Sequence, residues 1–437
     1  MYNRKRIHSS LLLNSDRSKA AQMKNKSLSS LRINDERFRA NFETLAAIGA
    51  TPDGGVHRPA LSEAHLEARR WFLEHAKQIG LDARMDGAGN HSAVLLCGRA
   101  GGPTLLLGSH LDSVPYGGRF DGALGVVAAL EVLQVVKEQG ISLNTHLEAI
   151  DFTDEEGHFA NFVGSLGLAG RLEPEHIQHP RGGRDRFRQA LCQAGLSESS
   201  LFSAGRDPAT LAGYLELHIE QGIRLIESGI QIGVVTNIVG IRSFKIKFIG
   251  RADHAGTTPM DKRLDAAQGA SAFTLASREL VMNEFPGYVA TVGNMEFEPG
   301  VFNVVPHTVT VALEFRADDD HKLDEMEAAL RQQVSVAAQQ FGLESETEHL
   351  DNTPPAHMND QVREAFVNVS KALGLKHTFL PSGAGHDAQC MAEICPTGMI
   401  FVPSVGGFSH SAKEFTEWED CANGANALLQ AALMLAR

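Results

Sequence analysis

Cysteine is scarce: five residues in a chain of 437, an odd number, with no Cys-x-x-Cys pair among Cys97, Cys192, Cys390, Cys395 and Cys421. That excludes a dense disulfide framework and argues against a thiolate-held metal. The five read as reduced thiols, as in a cytoplasmic protein. Positive charge is also short, since 40 Lys and Arg face 53 Asp and Glu for a net charge of -13. Nucleic acid, whose phosphates call for clustered Lys and Arg, is therefore not an expected partner. No apolar run approaches the roughly 20 residues of a membrane helix, so no membrane partner is expected either. The N-terminus is the exception to the acidic balance. The first 32 residues are basic and Ser-rich, with Asp16 as the sole acid, and "LLL" is too short an apolar run for a secretory signal. Residues 1–33 are expected to be a flexible basic tail.

What the chain does have is length and histidine, 19 in all. A chain this long is expected to form two domains. Residues 34–98 read as helical and end in a strand, "NHSAVLLCG". Next comes "PTLLLGSH" (103–110), a short apolar run with a sharp stop, as in a buried parallel strand. "GALGVVAALEVLQVVKEQG" (122–140) predicts a helix closed by Gly140, and "NTHLEAIDFTDEEG" (144–157) a second buried strand. Strand, helix, strand is a βαβ unit, and such units build α/β domains with a mostly parallel sheet and helices on both faces. Ligands in such sheets sit at the carboxyl ends of strands.

Residues 236–351 differ in character. "RSFKIKFIG" alternates polar and apolar, a helix is predicted over about 260–283, then come "GYVATVGNMEFEPG", "HTVTVALEFRAD", a helix over about 321–341, and "ESETEHL". This β-α-β-β-α-β order predicts a ferredoxin-like α+β domain inserted into the first. Two domains are thus expected: residues 34–235 with 352–437, and the insertion 236–351.

Candidate ligands gather at the predicted strand ends, beside glycines that let the backbone crowd a ligand. They are His110, Asp112 and Asp121 in "SHLDSVPYGGRFDGALGV", Glu155 and Glu156 in "TDEEG", His218 in "LELHIEQG" and His410 in "GFSHS". Imidazole with carboxylate suits Zn, Mn or Co. Two histidines, a glutamate and a shared aspartate could hold two ions about 3.5–4 Å apart. Asp112, two residues past His110, is placed to accept the other ring N–H. Taken singly, a histidine at a strand end is more often a satisfied core or surface residue than a ligand, and adjacent acids such as Glu155-Glu156 are usually a solvated turn, although here they directly follow an apolar strand.

Together and in order, "GSHLDSVPYGGRFDGALGV", "TDEEG", "LELHIEQG", "GRADHAGTTPM", "FNVVP", "SGAGHDA" and "GFSHS" resemble the M20-type binuclear metal amidohydrolases. The resemblance is specifically to the hydantoinase/carbamoylase branch and covers about residues 40–435. It implies a dimetal hydrolase domain, with the insertion acting as a lid and dimerisation domain. It further implies two divalent ions per subunit, Zn or Mn with Co as an option. His110, Asp121 and His218 would hold one ion, Asp121 would bridge, and Glu156 and His410 would complete the second. Glu155 would be the general base. His254 would reach the active site of the other subunit of a homodimer. Asn303 and Arg316 would grip the substrate carboxylate and amide, with Gln221, Gly383 and Gly385 as further contacts. His218 stands where related peptidases carry an aspartate. The implied activity is hydrolysis of the ureido C–N bond of N-carbamoyl-L-amino acids, giving amino acid, ammonia and carbon dioxide. The alternatives are an allantoate amidohydrolase or β-ureidopropionase, and more distantly a dipeptidase or aminoacylase. One departure stands out: "EEGHFANFVGS" lacks the Arg-Phe that the branch commonly shows, and His158 takes a place there.

Overall fold

The structure, a computed structural model, describes residues 28–437. It divides into two compact units. The first holds the described residues up to Thr236, then Met358–Leu380 and His386–Arg437, and the second holds Asn237–His357 and Pro381–Gly385. Before the insertion run α1 (Asp35–Ala46), α2 (Glu63–Gln78), β1 (Asp82–Met85), β2 (His91–Leu95), β3 (Thr104–His110), α3 (Ala123–Glu138), β4 (His146–Phe152), α4 (Val163–Ala169), α5 (Arg184–Gln193), β5 (Leu211–Ile219) and β6 (Ile232–Ile238). The insertion contributes β7 (Gly240–Ile249), α6 (Ala266–Glu284), β8 (Val289–Glu298), β9 (Thr308–Ala317), α7 (Asp320–Gln340) and β10 (Glu344–Thr353). The chain returns through α8 (Asp360–Leu373), β11 (His377–Ser382), β12 (Thr397–Val402) and α9 (Trp418–Leu435).

The first sheet runs in the order β1-β2-β4-β3-β5-β12-β6, with β11 beside β6. Its central strands β4, β3, β5 and β12 are parallel, while β1, β2 and β6 pair antiparallel with their neighbours. The central sheet is thus mostly parallel, with antiparallel edges. The two faces of β5 show how helices cover both sides. Leu215, Leu217 and Ile219 join the apolar core with α3 and α9. The intervening Glu216 faces the opposite way, where Ala388 N of the short helix Asp387–Met391 donates to it at 3.2 Å. Helix α3 has no polar face because the sheet, α1 and α9 surround it. Its one buried charge, Glu131, accepts Arg37 Nε at 2.7 Å and Asn34 N at 2.8 Å.

The second unit has a four-stranded antiparallel sheet in the order β10-β7-β9-β8. On β9, Val309, Val311, Leu313 and Phe315 are buried alternately and meet Phe273 of α6 and Met326 and Leu330 of α7. Arg316 faces the other side, as strand alternation requires.

Three expectations differ from what is found. The predicted tail reaches residue 33; residues 1–27 lie outside the described residues, but Ile33 is buried in the core and Gln430 Nε2 donates to the carbonyls of Leu28 and Leu31. The insertion ends at His357 rather than 351, because β10 runs to Thr353 and Ala356–His357 then pairs with Asn237–Ile238. Residues 381–385 also belong to the second unit, where Val239 N donates to Ser382 O at 3.0 Å. Helix α6 starts at Ala266 rather than near 260, since the Asp265 side chain caps it by accepting Ala267 N.

Candidate metal centre

The carboxyl ends of β3, β4 and β5 carry the centre, as expected of strand ends in a parallel sheet. His110 is the last residue of β3, His218 the penultimate residue of β5, and Glu155 and Glu156 follow β4 after two residues. Asp121 lies in the loop before α3. Gly122, next to it, has φ +62, and a Cβ there would meet the His110 ring at 2.5 Å, so glycine is required.

Two groups of side chains face each other here. In the first, Asp121 Oδ1 lies 3.0 Å from His218 Nε2 and 3.5 Å from His110 Nε2. In the second, His410 Nε2 lies 3.7 Å from Asp121 Oδ2 and 3.5 Å from Glu156 Oε2. Asp121 thus offers one oxygen to each group. Separations of this size are what two ligands about 2.0–2.2 Å from a common ion present to each other.

The imidazoles are oriented for the same purpose. His110 Nδ1 lies 3.0 Å from the Asp112 carbonyl, and His218 Nδ1 lies 2.9 Å from the Ile219 carbonyl. A carbonyl only accepts, so both Nδ1 atoms carry the proton and both Nε2 lone pairs turn toward Asp121. Gly122 N also lies 3.3 Å from His218 Nε2. Asp112 was expected to orient His110 through its carboxylate, yet that oxygen is 3.8 Å away. The tight turn after β3 brings the backbone carbonyl instead, and the carboxylate accepts Glu156 N at 3.2 Å.

The electrostatics call for cations. Burial first, then neighbouring carboxylates, push Glu155 and Glu156 well above the usual carboxylate range, although His110 opposes this. Burial, then Asp112, pushes Asp154 up to about 7. Burial disfavours a proton on His110, yet Glu155, Asp121 and Asp112 together raise it well above its usual value. So much buried acid must take up either protons or metal ions. Donor set, tautomers and spacing all fit divalent ions of the Zn, Mn or Co kind. Glu155 Oε2, 3.6 Å from His110 Nε2, sits beside the first group.

A further set, Glu216, His218 and His386, also converges. Glu216, however, already accepts Ser109 Oγ at 2.7 Å, Tyr214 OH at 3.1 Å and Ala388 N. The His386 ring instead packs against His218 with centroids 4.5 Å apart.

Other residues of the sequence reading fall differently. Gln221, expected to touch substrate, donates Nε2 to Asp121 Oδ2 at 2.7 Å. His254, Asn303, Arg316, Gly383 and Gly385 all belong to the second unit. There, His254 is exposed on a two-residue strand, and its Nδ1 accepts Gly256 N and Thr257 N. Asn303 O accepts Ala255 N at 3.1 Å. Arg316 pairs with Glu314 at 2.8 Å and donates Nη1 to Gly383 O at 2.9 Å.

Sequence reading missed Glu414. Its Oε1 accepts both Phe120 N at 2.8 Å and Asp121 N at 3.0 Å, and its Oε2 lies 3.0 Å from Ser409 Oγ. It ties the Asp121 loop to the His410 loop. Glu414→Ala is expected to weaken binding of the second ion by about 10–100-fold, read by calorimetric titration with Mn or Zn; unchanged affinity would remove Glu414 from this role.

Three non-glycine residues at the centre, Asp154, Gln221 and His410, have φ of +57, +57 and +53. Asp154 is held there by donations from the His158, Phe159 and Ala160 amides.

Comparison with known proteins agrees with this geometry. The family described as Peptidase family M20/M25/M40 matches residues 106–434. An N-carbamoyl-L-amino acid amidohydrolase of Geobacillus stearothermophilus is 37% identical over 412 residues, covering 93% of this chain and 99% of its own. A ureidoglycolate hydrolase of Arabidopsis thaliana is 32% identical, covering 92% and 86%. Among solved structures, an amidase of the hydantoinase/carbamoylase family from Burkholderia multivorans superposes with a TM-score of 0.83 at 36% identity, covering 93% of this chain and 99% of its own.

Proposed function

The chain belongs to peptidase family M20/M25/M40, and from that premise we propose that it hydrolyses the ureido C–N bond of N-carbamoyl-L-amino acids. The observation that carries this reading is Asp121 set between two ligand groups, with a histidine, His218, as the partner on one side. His110, Asp121 and His218 would hold one divalent ion, and Asp121, Glu156 and His410 would hold the other. Such a pair supplies Lewis acidity, polarising a carbonyl and acidifying a water. Glu155 takes the water's proton and delivers it to the leaving nitrogen. The products are the amino acid, ammonia and carbon dioxide.

The second unit acts as lid and dimerisation domain of a cytoplasmic homodimer. In support, β8 is an edge strand with exposed Val289 and Phe297, and α6 exposes Leu275 and Met282, an apolar surface suited to a second copy. His254, contributed to the partner's site, has its Nδ1 occupied as an acceptor, which leaves Nε2–H to donate to the developing oxyanion. Arg316, with Asn303 and the backbone at Gly383 and Gly385, binds the substrate carboxylate.

Arg316→Ala is expected to raise KM for carboxylate-bearing substrates by about tenfold to a hundredfold; an equal effect on a neutral ureido compound would remove the carboxylate from its role. The reaction itself is tested by assaying N-carbamoyl-L-amino acids, N-carbamoyl-β-alanine, allantoate and dipeptides with Mn, Zn and Co. Preference for N-carbamoyl-L-amino acids is the expected result, and cleavage of dipeptides alone would overturn the reading.

A further inference from the structure

The stretch "HPRGGRDRFRQ" puts Arg181, Arg184, Arg186 and Arg188 together in an otherwise acidic chain. The first unit treats them in two ways. Arg184 and Arg188 are offset by one carboxylate: both Glu198 oxygens accept from Arg184 at 2.9 Å and from Arg188 at 3.1 and 3.2 Å. Arg181 and Arg186 are directed at neutral acceptors. Arg181 Nη1 donates to Gly157 O. Arg186 Nη2 donates to His158 Nε2 at 2.7 Å, and its guanidinium lies over the Phe159 ring, 5.4 Å from the centroid.

Those acceptors are the residues immediately after Glu156. His158 is pinned to the same turn, its amide donating to Asp154 Oδ1. Two guanidinium groups are therefore fastened to the rim of the metal centre. Among the described residues they bond to none of its carboxylates, so neutralising the buried acid does not account for them. Arg186, with one N–H on a neutral imidazole, keeps its full charge and most of its five donors. Both arginines are exposed, and a guanidinium fork suits a carboxylate.

We propose that Arg181 and Arg186 form an anion subsite, and that the substrate carries a second carboxylate on its side chain, as the N-carbamoyl derivative of an acidic amino acid does. This rests on the ureido-hydrolase reading above. The rim arginines serve the side-chain carboxylate.

The test separates binding from turnover by using the full-length Glu155→Gln protein loaded with Mn. Calorimetry should show N-carbamoyl-L-aspartate binding about tenfold more tightly than N-carbamoyl-L-asparagine, a neutral molecule of the same shape. Adding R181A and R186A should bring the two affinities to parity. Adding R184A and R188A, which removes as much charge from the same stretch, should leave the preference intact. Equal affinities before any arginine is changed, or a preference that survives R181A/R186A, overturns the subsite. Turnover by the unaltered enzyme is read separately. Hydrolysis of carbamoyl amino acids without a binding preference overturns this inference alone. A preference that behaves as expected, without hydrolysis, upholds the subsite and overturns the assigned reaction.

Discussion

Glu155→Gln should retain both metal ions and lose about 10²–10⁴-fold in turnover, the range expected for losing a general acid–base group. Gln has the same shape and can still accept a hydrogen bond, but it cannot take up a proton. Glu155 is almost fully buried and faces the first ligand group through Oε2, 3.6 Å from His110 Nε2. It belongs to neither converging ligand trio that contains Asp121, so its loss leaves the metal stoichiometry alone. Elemental analysis of the purified variant, set beside kcat, makes the distinction. A rate near that of the unaltered enzyme would take the base role away from Glu155, and a variant depleted of metal would make it a ligand.

Asp121→Ala should empty both metal sites, whereas His410→Ala should empty one. The geometry dictates the contrast. Asp121 Oδ1 serves the group with His110 and His218, and Oδ2 serves the group with His410 and Glu156. Losing a shared ligand should cost each site more than the about 10–100-fold typical of losing an outer hydrogen-bonding partner. Metal content after dialysis at micromolar free Mn reads the outcome directly. One ion retained in the Asp121→Ala protein would mean that the aspartate does not bridge.

The clustering of the candidate ligands was legible in the sequence because most of them stand at a strand end or beside a glycine, where a change of periodicity marks the position. His110 closes "TLLLGSH" and His218 is the penultimate residue of "LAGYLELHI". Glu414 left no such mark. It acts through backbone amides of residues 120 and 121, and an acceptor of main-chain N–H groups needs no particular residue opposite it. Arg69 is similar: it is buried beneath the site, gripping Asp151 at 2.9 Å and the Phe152 carbonyl at 3.0 Å, yet in sequence it is one more charge on a helix. The second unit's core was readable from the alternation on β7 and β9. Its limits were not, because residues 381–385 join it through a few backbone and guanidinium contacts that no pattern announces.

The left-handed backbone at Asp154, Gln221 and His410 sets robustness against chemistry at the same torsion angles. Side chains in that conformation cost on the order of 1 kcal/mol or more each; glycine would relieve the strain at Gln221 and His410, whereas at Asp154 it would strip the His158, Phe159 and Ala160 amides of their acceptor. A laboratory selection for heat resistance alone would therefore drift toward glycine at residues 221 and 410, yielding a sturdier fold with a blunted catalyst.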